Sequence, residues 1–412
     1  MLLSIALIMT LGMFFGWLCK KARIPGLFGM IVTGILLGPQ VLNLVDDSIL
    51  QISGDLRRIA LLIILLRAGL SLRMEDLKKV GRPAVLMCFV PACFEIAGML
   101  LLAPRLLGIS LLDAAIMGAV VGAVSPAVIV PKMIRLMEDG YGTEKGIPQL
   151  ILAGASVDDV FVIVLFSTFT GLAQGTRASA MEFVQIPLSI VSGIAVGLLA
   201  GWIMGEYFEK VHVRDTVKII LLLSLSFFMV TAEDVYGEII PFASLIGVMC
   251  VGISLQKKRK EATIRLSEKL NKLWVAAEVL LFVLLGTMVD LESAKSAGSA
   301  VILLLAGVLL FRMAGVWISL FATKLNQKER LFCMLAYLPK ATVQAAIGGL
   351  PLAMGLPCGT IVLTVSVAAI LITAPMGAFF IDLTYQRLLT AAAESSWRER
   401  SQEETGTANT KQ

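Results

Sequence analysis

Charge is scarce in this sequence. Asp, Glu, Lys and Arg make up 16% of its 412 residues against 58% hydrophobic side chains, which excludes an ordinary water-solvated globule and leaves a polytopic membrane protein. Histidine occurs once, at His212, so no histidine metal cluster is available. Beside a basic loop, that residue reads as surface, with modulation of a pH response as the other reading. The six cysteines, Cys19, Cys88, Cys93, Cys250, Cys333 and Cys358, contain no CxxC pair and lie mostly inside apolar runs. They argue against a disulfide framework or a zinc cluster and for buried packing. No Ser-His pair and no catalytic aspartates on separate helices stand out, which argues against an intramembrane enzyme. The first apolar segment, Leu2 to Cys19, has neither a basic leader nor a small-residue cleavage site, and reads as a retained span.

What the chain has in abundance is apolar length. Windows of helix-spanning size fall near 2–19, 24–44, 56–72, 83–103, 110–133, 148–172, 183–206, 217–232, 238–254, 270–290, 298–322, 329–353 and 358–381, thirteen in all. Alternate connections are basic: Lys20, Lys21 and Arg23; Arg73, Lys78, Lys79 and Arg82; Lys132, Arg135 and Lys145; Lys210, Arg214 and Lys218; the 257–272 stretch; Lys324, Lys328 and Arg330. Cytoplasmic loops are enriched in Lys and Arg, so the N-terminus is expected outside and the C-terminus inside. The net charge of +5 then follows from orientation, and nucleic acid is not implied. The run from Lys257 to Lys260 reads as a solvated linker, with contact to anionic lipid head groups as the alternative. The stretch 386–412 turns to Glu, Ser, Thr, Gln and Arg and is expected to be a disordered cytoplasmic tail.

Against this apolar background, Asp158 and Asp159 stand side by side in the run from Gln149 to Leu172. A carboxylate at the bilayer centre costs about 2.5 to 3.5 kcal/mol, so two in succession need a reason. Glu95, Arg312 and Lys340 share that central depth, and buried charges at one level pair or line a wet cavity. Adjacent helical residues point about 100 degrees apart; one aspartate can meet an incoming cation while the other faces elsewhere. Ser125 offers an oxygen ligand suited to a small hard cation. Pro126 and Pro339 each remove a helical hydrogen bond and free a carbonyl one turn earlier, at Gly122 and Leu335. Such breaks survive in a membrane only where protein or water supplies partners. They lie seven spans apart, an odd offset that gives inverted repeats with two discontinuous helices crossing at the midplane. Small-residue spacing at Gly193, Gly197, Gly201 and Gly205 suggests a close helix contact within the subunit, and Gly12 with Gly16 suggests a second, considered for a dimer interface. Arg67, off-centre, reads as a packing or snorkelling residue.

Ser125-Pro126-Ala127 through Pro131, the segment Gly140 to Pro148, Ser156-Val157-Asp158-Asp159, and Leu338-Pro339-Lys340-Ala341-Thr342-Val343-Gln344 together resemble the cation:proton antiporter superfamily. The branch is that of the animal sodium/hydrogen exchanger domain-containing proteins, in a short form that looks bacterial. The resemblance covers about residues 1–385. It implies an all-α homodimer of thirteen-span subunits in a plasma membrane, the bacterial inner membrane. A dimerisation part would comprise mainly spans 1–3 and 8–10. A mobile core would comprise spans 4–6, about 83–172, and spans 11–13, about 298–381. It also implies Asp159 as the ion-binding carboxylate and Asp158 as its partner, with Arg312, Glu95 and Lys340 as core charges and Pro126, Pro339 and Thr342 at the broken helices. Lys340 is left with the alternative of neutralising the carbonyl ends of those helices. Two departures from other branches stand out: Ser125-Pro126 replaces a Thr-Asp pair, and Arg312 replaces a lysine. The implied activity is exchange of sodium or lithium for protons by alternating access, without a cofactor. Potassium/proton exchange, or sodium-coupled uptake of a solute, is the alternative.

Overall fold

Water is absent from the bilayer core, so a spanning chain must satisfy its backbone internally. The apolar runs accordingly form helices. A computed structural model describes residues 1–22, 24–71, 81–175, 180–211, 213–236, 242–258, 260–289 and 291–391. His212, Arg259, Arg177, Arg73, Lys78 and Lys79 lie outside the described residues; of the tail expected over 386–412, residues 386–388 instead continue the last helix, 389–391 are described, and the rest lies outside.

In chain order the helices are α1 (Leu2–Lys21), α2 (Gly26–Leu37), α3 (Asp47–Gln51), α4 (Ser53–Ser71), α5 (Arg82–Met87), α6 (Val90–Leu107), α7 (Leu111–Val121), α8 (Pro126–Glu138) and α9 (Ile147–Gln174). They continue as α10 (Ala180–Lys210), α11 (Asp215–Tyr236), α12 (Ser244–Lys258), α13 (Lys260–Thr287), α14 (Leu291–Ser319), α15 (Gln327–Ala336), α16 (Thr342–Ile347), α17 (Leu350–Ala353) and α18 (Gly359–Leu388). The described residues contain no β-strand, and one isolated bridge joins Tyr141 to Ala391. Among them, nine helical stretches are long and apolar enough to cross a membrane, the interrupted Leu111–Glu138 included. The other expected spans fall on shorter, more charged or broken helices: α2, α4, α12, and α15 with α16 and α17.

Local chemistry sets the helix ends. Ser110 and Asn326 form capping boxes with Asp113 and Glu329, which satisfy the first free N–H groups of α7 and α15. Proline at the second helical position starts α5 and α9, where its missing donor does no harm.

The helices pack in two groups. In one, α6 lies along α14, α7 joins α6 to α9, and α18 holds α15 and α7. In the other, α13 packs on α2 and α4, α12 on α4 and α10, and α1 on α2. Glycine allows the closest of these approaches: a Cβ at Gly34 would sit 1.9 Å from the Val283 carbonyl oxygen, so the backbones of α2 and α13 touch there. The glycine stripe of α10 meets the backbone of α12, with Gly197 against Gly247, the intramolecular contact expected. The Gly12–Gly16 face of α1 behaves differently from the interface considered for it. It is buried inside the subunit against Val279, Val283 and Met30, while Met13, Phe14 and Trp17 point outward.

Candidate ion-binding site

The site is built where two helices fail. Pro126 has no N–H to offer the Gly122 carbonyl, so the chain leaves helix after Val121 and resumes at Pro126. Pro339 likewise separates α15, ending at Ala336, from α16, starting at Thr342. The two gaps meet: the Ser125 N–H donates to the Pro339 carbonyl at 2.8 Å. Side chains satisfy the freed backbone, as acceptors and as donors. The Val124 N–H donates to Asp158 Oδ2 at 2.9 Å, and the Lys340 N–H donates to Thr373 Oγ1 at 2.8 Å. Arg312 Nε donates to the Tyr337 carbonyl at 2.6 Å, and its Nη1 donates to the carbonyl of Gly122. Gln344 Nε2 faces the carbonyls of Val120, Val121 and Ala123.

Four fully buried charges then close on themselves. Arg312 Nη1 lies 2.5 Å from Glu95 Oε2 and its Nη2 lies 2.9 Å from Asp158 Oδ2, while Lys340 Nζ lies 2.6 Å from the same Glu95 oxygen. Two cations and two anions make a neutral quartet, the arrangement that burial of charge demands. The Arg312 guanidinium also lies 5.3 Å from the centre of the Tyr337 ring. Tyr337 fits only because Gly154 leaves room: a Cβ there would fall 2.2 Å from the phenol oxygen.

Asp159 is left over. It is 7% exposed, has no ion pair within 4 Å among the described residues, and its Oδ1 has no hydrogen-bond partner. It lines a cavity of about 940 Å³ that runs from Asp159 and Thr342, past Pro126 and Pro131, to exposed Lys20, Arg135 and Asp382. The facing wall carries Arg67, Trp274 and Glu278. Around the crossing, Ser125 Oγ, Thr342 Oγ1, Gln344 Oε1 and Asp158 Oδ1 are also buried without partners. The unmatched atoms here are all oxygen, a donor set for a hard cation.

The structure therefore brings together the residues expected at the site: Asp158, Asp159, Ser125, Glu95, Arg312, Lys340, Pro126, Pro339 and Thr342. The twin aspartates divide as helical geometry requires, Asp158 toward the break and Arg312, Asp159 toward the cavity. Lys340 differs from the alternative of capping carbonyl ends: its ammonium goes to Glu95, and Arg312 and Gln344 take the carbonyls. Arg67 is a cavity-wall residue within electrostatic reach of Glu278, with no snorkelling needed. Sequence reasoning assigned no role to Tyr337 or Gln344; their signal was the same Tyr-Leu-Pro-Lys-Ala-Thr-Val-Gln motif that carried Lys340.

Comparison with known proteins gives one consistent result. Residues 4–383 match the family model described as sodium/hydrogen exchanger, transmembrane. The chain is 34% identical over 405 residues to sodium/hydrogen exchanger 9B2 of Homo sapiens, covering 93% of this chain and 73% of that protein. It is 28% identical to sodium/hydrogen exchanger 9B1 of Homo sapiens, covering 89% and 73%. The fold superposes on the sodium proton antiporter MjNhaP1 from Methanocaldococcus jannaschii at pH 8 with a TM-score of 0.82 and 21% identity, covering 93% of this chain and 97% of that one.

Proposed function

Because this chain belongs to the sodium/hydrogen exchanger family, a family of multi-pass membrane transporters that need no cofactor, we propose that it exchanges sodium for protons by alternating access at Asp159. One observation carries the reading: in a buried cluster whose other four charges cancel, Asp159 is the carboxylate without a partner, and it faces the cavity. A buried carboxylate in that position is neutralised by one proton or by one monovalent cation. Both need the same oxygens, so the two compete.

Sodium is the first ion in this reading, and lithium, smaller and equally hard, shares the site. The helix group of α5 to α9 with α14 to α18 is the moving core, and α1 to α4 with α11 to α13 is the main part of the dimer-forming scaffold. The cavity lies between them, lined by Leu27, Met30 and Trp274 on one side and Ala127, Val130 and Ala378 on the other, a boundary along which one group can slide. The exposed end of the cavity carries Lys20 and Arg135, residues of the basic side. The positive-inside rule makes that side cytoplasmic, with the N-terminus outside and the C-terminus inside. The same basic side is where anionic lipid would gather.

The test is proton flux in proteoliposomes driven by a sodium gradient. Asp159→Asn is expected to abolish sodium-dependent flux while the purified protein keeps its melting temperature and its oligomeric state. Undiminished exchange by that variant would overturn the reading. In the wild type, added protons should raise the apparent KM for sodium and leave the maximal rate at saturating sodium unchanged over the same pH range.

A further inference from the structure

Gln344 is fully buried in the first turn of α16. Its amide nitrogen faces three carbonyl oxygens, those of Val120 at 3.2 Å, Val121 at 3.1 Å and Ala123 at 2.9 Å. These carbonyls belong to the C-terminal end of α7 and the gap after it, where the following turn of helix that would have bonded them is missing. A flipped amide would press its oxygen against all three, so the contacts themselves fix which end is nitrogen. The other end is fixed with it. Gln344 Oε1 must point away from the carbonyls of the first break, and it meets no donor.

Two hydroxyls next to the same gaps share that condition. Ser125 Oγ and Thr342 Oγ1 are buried, unpartnered, and not bonded to Gln344 or to each other. Hydroxyls can donate and a carboxamide oxygen can accept, so three buried oxygens beside the crossing of the two gaps are left with unmet hydrogen-bonding capacity. A partly dehydrated monovalent cation is a group that meets several such oxygens at once, and Thr342 already lines the cavity with Asp159.

We propose that Gln344 Oε1 is a neutral ligand of the transported cation and the residue that sets its size preference. The proposal rests on Asp159 as the ion carboxylate and adds to it. A carboxamide oxygen brings no charge, so it leaves the competition between proton and cation as it was. Because the nitrogen end is held by backbone of the broken helix, the oxygen end cannot retreat to admit a larger ion. Sodium and lithium are therefore favoured over potassium by a fixed ligand, while Asp159 supplies the charge.

Gln344→Leu removes the ligand, together with the amide's bonds to the three carbonyls, and keeps the volume. It is expected to raise the apparent KM for sodium about tenfold and to flatten the order of lithium, sodium and potassium, with the proton dependence at saturating sodium unchanged. A Gln344→Leu protein that melts like wild type and keeps both its KM and its ion order overturns the proposal. Should that variant not assemble, the unmodified protein decides: cryo-microscopy in thallium(I), a heavy monovalent stand-in, should place density in contact with Gln344 Oε1 as well as Asp159. Density held by the Asp159 carboxylate away from residue 344 overturns the assignment. Failure of the underlying reading looks different, since Asp159→Asn would then still exchange sodium for protons. A dead Asp159→Asn beside an unaltered ion order in Gln344→Leu rejects the role of Gln344 alone.

Discussion

Arg312 touches more of the site than any other side chain. Its guanidinium bonds Glu95, Asp158 and the carbonyls of Gly122 and Tyr337, a use of the planar five-donor fork that lysine cannot copy. Arg312→Ala would leave Asp158 buried without its cation and Glu95 with Lys340 alone, so a loss of roughly 3 to 5 kcal/mol is expected, read as a large fall in melting temperature. A variant that melts like wild type yet loses turnover would move Arg312 from the frame of the site into its chemistry. Gly154 gives a second test at this scale. Gly154→Ala should lower the melting temperature because its Cβ meets the Tyr337 hydroxyl, and Tyr337→Phe in the same chain should restore part of the loss, since the hydroxyl oxygen is the nearest obstacle. The chemistry of these residues was legible in the sequence: centred charges must pair or be wet, and four pair while one lines a cavity. Partner choice was not. That Lys340 goes to Glu95 while Gln344 takes the carbonyls depends on how two gaps cross, which no single segment encodes.

At the level of the helices, proline told most. Both breaks fall where Pro126 and Pro339 placed them, because a missing N–H and a ring clash act within one turn of sequence. Pro126→Ala returns a donor to the Gly122 carbonyl and should draw the gap at 122–125 toward helix, withdrawing the Val124 N–H from Asp158. Exchange is expected to fall at least tenfold, with a modest change in melting temperature; unchanged exchange would mean that the gap survives without its proline. Glycine patterns were half legible. The stripe on α10 named its kind of contact, but the Gly12–Gly16 face of α1 turned inward. Spacing shows that a helix will be approached closely without showing from which side.

For the whole molecule, the decisive features are the unpaired charge of the buried cluster and the cavity lined by both helix groups. On the function proposed above, the one carboxylate of the buried cluster without a partner would exchange one cation for one proton, so no net charge is expected to move with a complete cycle. A potential of 100 mV would bias the transfer of one net charge by about 2.3 kcal/mol; flux in vesicles clamped at that potential should match flux at zero. A steep dependence would show that Lys340 or another of the quartet also titrates. The cavity makes a second prediction. Ala127→Cys should react with a membrane-impermeant thiol reagent from the side of Lys20 and Arg135, and the product should no longer exchange. The hydrogen bond between the two gaps has a consequence of its own: the Ser125 N–H and the Pro339 carbonyl are main-chain atoms, so replacing the serine side chain does not delete the tie. The side-chain oxygens around the junction can thus be swapped one at a time, as one changes bits in a chuck, while the joint between the two halves stays fastened.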